Sequence, residues 1–331
     1  MRKLLCLILT LCAVLTFAAC TRGSAIEVSE VSETDSSEAD SVIETSREES
    51  TVKNNITPLL WKVTNNDSGA VVWLFGSSLA DEKAFPLPDA VMSAYESSEN
   101  LIVLHNFAEE NIDVEKVLKE FEYPDGSSIK KHIPEDIYQK ANRIVYNAYG
   151  TSGSVALDGF KPIMWVTEIE KVYTLDSTFT DSIDSYFITQ AQKDKKHYFA
   201  LEDYNSLIKQ FTNLSDALQV FLLKRIININ AAEYIKQLSN LYDAWSVGAA
   251  GFIEQYFFDT NGYTQEEQRL LSEYNKIFYE DKIIRIDEAL QEYLSIKTSV
   301  FACISIEHFV GEKGVVKLLT DAGYQVERVY T

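Results

Sequence analysis

Few residues of this chain have both the type and the setting of a catalytic nucleophile. Ser77 and Ser78 follow an apolar run, and Cys303 lies inside the apolar run SVFACISI. A serine nucleophile needs a histidine base and an orienting acid, and the Gly-x-Ser-x-Gly turn of the α/β-hydrolases does not occur in the sequence. Cys303 is predicted to be a small core residue. The sequence therefore gives little support to nucleophilic catalysis.

The strands that would position a site can be read from apolar runs with β character. The run VVWLFGSSL, residues 71–79, breaks at Gly76 and ends on Leu79. A strand that ends in glycine and small residues usually presents a polar group at its tip, so the leucine is unexpected. Predicted strands lie at Leu59–Val63, Val71–Phe75, Leu101–Leu104, Tyr198–Leu201 and Val300–Ile306.

Longer segments with helical spacing separate these strands. Pro88 and Pro134 each stand near the start of such a segment, where proline suits a first helical turn. Residues 215–245 carry a long apolar stripe, and Thr264 opens a capping box with Glu267. Few strands and many helices predict a single α/β (α+β) domain, in which a small mixed sheet is covered by helices.

The N-terminus has the layout of a signal peptide, with two basic residues, an apolar run and small residues before Cys20. Phe17-Ala18-Ala19-Cys20 resembles a bacterial lipobox, in which the cysteine carries lipid. We therefore predict a lipoprotein signal at 1–19 and an extracytoplasmic chain anchored to the membrane through Cys20. The alternative is an ordinary secretory signal that is cleaved nearby.

The composition of the chain after the signal separates a polar segment from a folded domain, and its charge limits the classes of possible partner. Residues 20–55 are rich in Ser, Thr and acidic residues, contain no aromatic residue and are predicted to be a disordered tether to a domain at 56–331. The formal net charge of −20 argues against nucleic acid as a partner, because phosphate binding needs a basic face. Cys303 is the only cysteine of the domain, which excludes an intrachain disulfide and a cysteine-rich metal site there.

Several short segments of the domain resemble the TraB/GumN family, which is related to the TIKI-type metalloproteases. These segments are PLLWKV (58–63), FPLPD (85–89), PDG (124–126), KP (161–162), Asp184, LE (201–202) with Gln210, and EHFVGEKGVVKLLTDAGYQVERV (307–329). The resemblance implies a metal site built from two Gly-x-x-His strand ends and nearby carboxylates. Such donors suit Mn, Co or Zn, which would activate a water for hydrolysis.

The chain departs from the family pattern at the site itself. Leu79 stands where the first histidine is expected, Leu104 where a glutamate is expected, and Tyr274 where an arginine is expected. Asp184, Glu202 and His308 keep family positions. Because leucine offers a metal no lone pair, we expect a degenerate active site that holds no metal or other cofactor.

Other residues of the chain could replace the missing ligands. Side chains alternate on a strand, so His105 and Glu307 are expected to point away from the former site unless a bulge turns them. His308 is expected to share a strand face with Ala302, Ile304 and Ile306, as a core-edge histidine bonded to the backbone. Asp184 and Glu202 should be exposed or hydrogen-bonded, and His132 and His197 should lie on the surface.

These expectations lead to three functional hypotheses. The first is a cell-surface lipoprotein of this family that lacks metallohydrolase activity and binds an unknown protein or peptide. The second is an active hydrolase or protease with rearranged ligands drawn from His308, Asp184, Glu202 and His105, which would use a divalent metal. The third is a solute-binding lipoprotein.

Overall fold

The computed structural model describes residues 56–105 and 112–330. The predicted signal peptide, Cys20 and the predicted tether lie outside the described residues. The described strands are β1 (Leu60–Thr64), β2 (Val71–Ser77), β3 (Leu79–Asp81), β4 (Asn100–His105), β5 (Phe179–Ser182), β6 (His197–Glu202), β7 (Ser299–Ser305) and β8 (Gln325–Arg328).

Six of these strands form one mixed sheet in the order β6-β4-β7-β2-β1-β8. The pairs β6–β4, β4–β7 and β7–β2 are parallel, whereas β1 pairs antiparallel with both β2 and β8. The central parallel strands β4 and β7 carry nearly continuous buried apolar runs, because both faces of the sheet are covered there, whereas the edge strand β6 is largely exposed. Strands β3 and β5 form a separate antiparallel pair.

Helices cover the sheet and account for most of the chain between the strands. They are α1 (Asp89–Glu96), α2 (Val114–Glu120), α3 (Glu135–Leu157), α4 (Pro162–Thr174), α5 (Ile183–Asp194), α6 (Tyr204–Thr212), α7 (Asp216–Ile227), α8 (Ala231–Ser246), α9 (Ala250–Phe258), α10 (Gln265–Asn275), α11 (Asp281–Ser295) and α12 (Val315–Asp321). A π-helical turn at Lys276–Glu280 joins α10 to α11. The predicted fold class, a mixed sheet covered by many helices, is confirmed.

Two details of the helical layer can be compared with the prediction. The capping box at Thr264 is confirmed, since its side chain accepts from the Glu267 N–H and the Glu267 carboxylate accepts in return. The stripe over 215–245 is divided between α7 and α8, because the Asn230 side chain caps a new helix by accepting from Glu233 N. Across the described ranges, no helix combines the length and apolar character needed to cross a bilayer.

Candidate functional site

The four parallel strands β2, β4, β6 and β7 end at the same edge of the sheet, where ligand sites of α/β proteins usually form. Each of these strands ends on a polar residue: Ser77 ends β2, His105 ends β4, Glu202 ends β6 and Ser305 ends β7. His105 and Glu202 are register partners in the parallel pair β4–β6. The sheet therefore brings together residues that are far apart in the sequence.

Glu202 is the centre of a buried polar network. Its carboxylate lies 3.0 Å from His105 Nε2 and 3.2 Å from the ammonium nitrogen of Lys282. The amide of Gln210 donates to both carboxylate oxygens at 3.2 and 3.3 Å, and Arg285 donates from its guanidinium. The Glu202 side chain is only 4% exposed. Two cations and two neutral donors thus satisfy one buried carboxylate.

The surroundings fix the charge state of Glu202 and His105. Burial alone would raise the pKa of Glu202, but the hydrogen bond from His105 and the charges of Lys282 and Arg285 outweigh it and hold the pKa below its ordinary value. Burial, with the nearby charge of Lys282, lowers the pKa of His105 despite its carboxylate partner. His105 is therefore neutral and donates its Nε2 proton to Glu202.

The two cations reach the network from one helix. Lys282 and Arg285 lie on α11 directly after the π-helical turn, three positions apart and therefore on one side of the helix. Short π-helical turns inside α-helices frequently occur at functional sites. The Lys282 side chain is 5% exposed, whereas Arg285 is about half exposed. Lys282 is therefore the buried cation of the network, and Arg285 contacts Glu202 from the solvent side.

The position of His308 differs from the expectation based on strand alternation. Strand β7 ends at Ser305, and Ile306–His308 form a 3-10 turn, so alternation does not extend to Glu307 and His308. Both side chains are buried. His308 Nδ1 lies 3.1 Å from the Ser305 carbonyl oxygen and Nε2 lies 3.3 Å from that of Phe278 in the π-helical turn. Each ring nitrogen therefore faces a backbone carbonyl oxygen, and a neutral ring donates its single N–H to one of the two.

Burial also sets the charge states of this turn. Burial and the charge of Lys282 lower the pKa of His308 to about 3, so the ring is neutral and only one of its nitrogens carries a proton. Burial raises the pKa of Glu307 to about 7, although its own backbone N–H and Lys282 act in the opposite direction. Glu307 Oε1 lies 3.9 Å from His308 Nδ1 and has no hydrogen-bond partner among the described residues.

Asp184 lies at the end of β2 instead of in the Glu202 network. Its carboxylate accepts from the Ser77 hydroxyl at 3.0 Å, and its own N–H donates to the same hydroxyl oxygen at 3.3 Å. Ser77 is buried, and its hydroxyl also lies beside the Cys303 thiol. The structure thus gives Ser77 a hydrogen-bonding role beside Asp184.

The three residues that differ from the family pattern lie in or against the hydrophobic core of the structure. Leu104 is buried in the core, and Leu79 is half-buried on β3, where it pairs in register with Ser182. Tyr274 is 1% exposed, and its ring centroid lies 4.6 Å from that of Phe278. Each of these side chains packs with the hydrophobic core.

The remaining candidate residues lie away from the strand ends. His132 is exposed and stacks on Tyr123 with ring centroids 3.7 Å apart, and His197 is exposed on β6. Cys303 is fully buried in β7, and burial raises the pKa of its thiol well above the ordinary value. It is a core residue, as the sequence predicted.

The family profile described as TraB/PrgY/gumN matches residues 59–328, which is most of the chain. The chain belongs to the TraB/PrgY/gumN family. No curated protein and no solved structure shows significant similarity to it. The match confirms the family that the short motifs indicated, and it covers all eight of the described strands.

The residues at the strand ends of this TraB/PrgY/gumN member do not fit a divalent metal. The Glu202 carboxylate is bound by the two cations Lys282 and Arg285 and by the donors of His105 and Gln210. A metal ligand must instead offer a free lone pair. Within the part of the chain that is described, no group of three or more His, Cys, Asp or Glu residues could hold a metal ion.

Sequence reasoning missed the two residues that determine the charge of this site, Lys282 and Arg285. The segment KIIRIDEALQEYL shows a clear apolar stripe at Ile283, Ile286 and Leu290. Lys282 lies four positions before Ile286 and thus beside that stripe. A lysine next to a buried stripe is the one signal that would have marked it.

Proposed function

We propose that this chain is a TraB/PrgY/gumN protein without metal-dependent hydrolase activity. In this proposal it is held at the cell surface through lipid on Cys20 and works by binding a protein or peptide. The lipid anchor rests on the lipobox-like sequence. The loss of activity rests on the strand-end residues.

The observation that carries the proposal is the state of Glu202. A carboxylate that is bound by an ammonium and a guanidinium has its charge already balanced, so a divalent ion would have to displace both cations. Leu79 and Leu104 supply no donor in their place. Without a bound metal, the site has no means of lowering the pKa of a water for hydrolysis at neutral pH.

One feature beside the network supports a binding role. Strand β6 pairs with β4 alone among the described strands, so it forms an edge of the sheet. Phe199 at its centre leaves 46% of its surface exposed. A sheet edge with an exposed aromatic residue suits an extended peptide that adds a strand by main-chain hydrogen bonds.

The test is to measure metal content and metal-dependent peptide hydrolysis of the purified full-length chain after incubation with Mn²⁺, Co²⁺ or Zn²⁺. We expect no stoichiometric metal and no hydrolysis above a metal-only blank. The double variant Leu79→His, Leu104→Glu restores two donors and should bind metal weakly at most, because Lys282 remains. Stoichiometric metal together with metal-dependent cleavage by the unaltered chain would refute the proposal.

A second candidate is the hydrolase with rearranged ligands. It is favoured by one observation, the 3.0 Å separation of His105 Nε2 and Glu202, which places two of its four suggested ligands together. Asp184 and His308, the other two, are instead bonded to Ser77 and to backbone carbonyls. The same metal and hydrolysis measurement separates the two functions.

A further inference from the structure

We propose that two copies of this chain associate through strand β6, so that the sheet of one copy continues into the sheet of the other. The two β6 strands run antiparallel about a two-fold axis at Phe199. This inference rests on the proposed function, because it names the partner of the same sheet edge. Lipid on Cys20 would also confine the copies to one membrane and raise their effective concentration.

The two edge strands of the six-stranded sheet differ in how they are protected. Strand β8 is four residues long and carries Glu327 and Arg328. Short length and charged side chains are the usual means by which an edge strand avoids pairing with another chain. Strand β6 is six residues long and has no charged residue between His197 and Glu202. Of the two edges, β6 is therefore the one suited to pairing.

The middle of β6 is apolar and reaches the solvent. Phe199 leaves 46% of its surface exposed, and Ala200 beside it is exposed as well. The outward N–H and C=O groups of this edge face no further strand in the described part of the chain. Aromatic residues that face each other across an antiparallel pair add a favourable contact. A second strand along β6 therefore buries Phe199 and pairs the main chain at the same time.

The charges that flank β6 favour a second copy and fix the direction of pairing. Lys195 precedes the strand, Asp203 follows it, and both are exposed. An in-register parallel pair would place like charges side by side, which is unfavourable. In an antiparallel pair with Phe199 on the axis, Lys195 of each copy faces Asp203 of the other, because both lie four positions from Phe199. The strand is thus complementary to itself.

The carboxyl end of β6 is already fixed within one copy. Glu202 is bound by His105, Lys282 and Arg285, and Asp203 caps α6 by accepting from the backbone N–H of residue 206 at 2.7 Å. These contacts hold the edge in its extended form. Association therefore orders little additional chain and loses little conformational entropy.

The first measurement is sedimentation velocity of the purified full-length chain over a range of concentrations. We expect a reversible monomer–dimer equilibrium with a Kd in the micromolar range, because pairing of six residues buries less area than a standard interface. Phe199→Lys should weaken dimerisation by at least about tenfold, since two like charges then meet at the axis. The matched control is Tyr146→Lys, which changes an aromatic residue of similar exposure, 52%, on α3 and should keep the dimer.

Disulfide trapping tests the direction and register of pairing without a disruptive variant. Phe199→Cys should give a disulfide-linked dimer under mild oxidation, because the two thiols meet at the axis. His197→Cys should give none, since its two copies are offset by about 13 Å along antiparallel strands, beyond the reach of a disulfide. The unaltered chain, which has four cysteines, supplies the background.

A monomer at every concentration, or a Phe199→Lys dimer as tight as that of the unaltered chain, overturns the proposal. Equal trapping through Phe199→Cys and His197→Cys also overturns it, because that result requires parallel strands. The outcomes are distinct from those of the proposed function. A monomeric chain without metal or hydrolysis refutes only the pairing of β6, whereas stoichiometric metal with metal-dependent cleavage refutes the proposed function whether or not the chain dimerises.

Discussion

Two buried glutamates of this protein have different surroundings, and their pKa values are shifted in opposite directions. Glu202 at the strand ends is bound by Lys282 and Arg285, and its pKa is held below the ordinary value. Glu170 in helix α4 is fully buried, and burial raises its pKa well above the ordinary value; the Tyr234 hydroxyl is its hydrogen-bonding neighbour. No lysine or arginine among the described residues pairs with Glu170.

The difference shows that burial alone does not decide whether a carboxyl group is charged. Both side chains are nearly or fully removed from water, so the desolvation penalty of the ionised form acts on each. Only the strand-end site supplies cations that outweigh this penalty. The helical layer therefore favours the neutral form of Glu170, whereas the cations at the strand ends favour the ionised form of Glu202.

The largest expected effect comes from breaking that network on one side. Lys282→Met should lower the free energy of unfolding by about 3–5 kcal/mol, because it leaves Glu202 buried without its enclosed cation. The double variant Lys282→Met, Glu202→Leu should regain much of this loss, since it removes both charges. Urea unfolding of the four members of this double-mutant cycle measures the coupling.

The control for this cycle is Lys276→Met, whose exposed lysine should leave the urea midpoint unchanged. Additive effects of Lys282→Met and Glu202→Leu would mean that the two side chains act independently. The opposite pKa shifts of Glu202 and Glu170 could then not be attributed to the pairing of Glu202 with Lys282.

The second prediction concerns the neutral acid. Because the pKa of Glu170 is raised on folding, the folded chain binds its proton more tightly, and this contribution to stability is complete below the ordinary value of 4.5. It is lost as pH rises through the interval between that value and the raised pKa. The free energy of unfolding should therefore fall as pH rises above 4.5, with a slope of at most about 1.4 kcal/mol per pH unit.

Glu170→Gln removes this dependence, since an amide does not titrate. Urea unfolding at several pH values should show a flatter profile for the variant and a higher stability at pH 7 than that of the intact chain. Glu312→Gln changes the same charge at an exposed position and should keep the profile of the intact chain. A Glu170→Gln profile identical to that of the intact chain would show that Glu170 is ionised in the fold.

The contrast between these regions also marks how far the sequence can predict the structure. The four parallel strands were predicted from their apolar runs, which in the central strands β4 and β7 result from burial on both faces. Strands β3, β5 and β8 were missed because they are three or four residues long and contain polar residues. The helix break at Asn228–Asn230 was missed because the apolar stripe continues across it.

The site was less predictable than the fold for a physical reason. The sequence alone shows that Leu79 and Leu104 cannot coordinate a metal, because leucine has no lone pair to offer. The contact between Glu202 and Lys282 depends on the order of the strands, the path of α11 and the π-helical turn before it, none of which follows from local pattern. Alternation failed for His308 because β7 ends three residues earlier, at Ser305.

The third prediction concerns the packing of the backbone at the strand ends, next to the ionic network of Glu202. A Cβ added at Gly76 would lie 2.0 Å from Ile306 Cδ1, the nearest atom of the turn after β7. Gly76→Ala should therefore cost about 2 kcal/mol, because either the isoleucine or the strand must move. Gly159→Ala is the control, since no atom lies within 4 Å of its added Cβ. Equal midpoints in urea would show that Ile306 moves aside at little cost.

The smallest effect is expected at Asp184, a carboxylate near the strand ends that accepts a hydrogen bond from the neutral hydroxyl of Ser77. Ser77→Ala removes the donor to Asp184 Oδ1 at 3.0 Å and the acceptor of its N–H at 3.3 Å. Since Asp184 is only half-buried, water can replace part of this bonding, and the loss should be about 1 kcal/mol. Ser182→Ala, which removes an exposed hydroxyl contact with Ser185, is the control and should change the urea midpoint less. A loss as large as that of Lys282→Met would mean that hydroxyl groups hold the strand ends together as firmly as the cations do, and the distinction between Glu202 and its neighbours would fail.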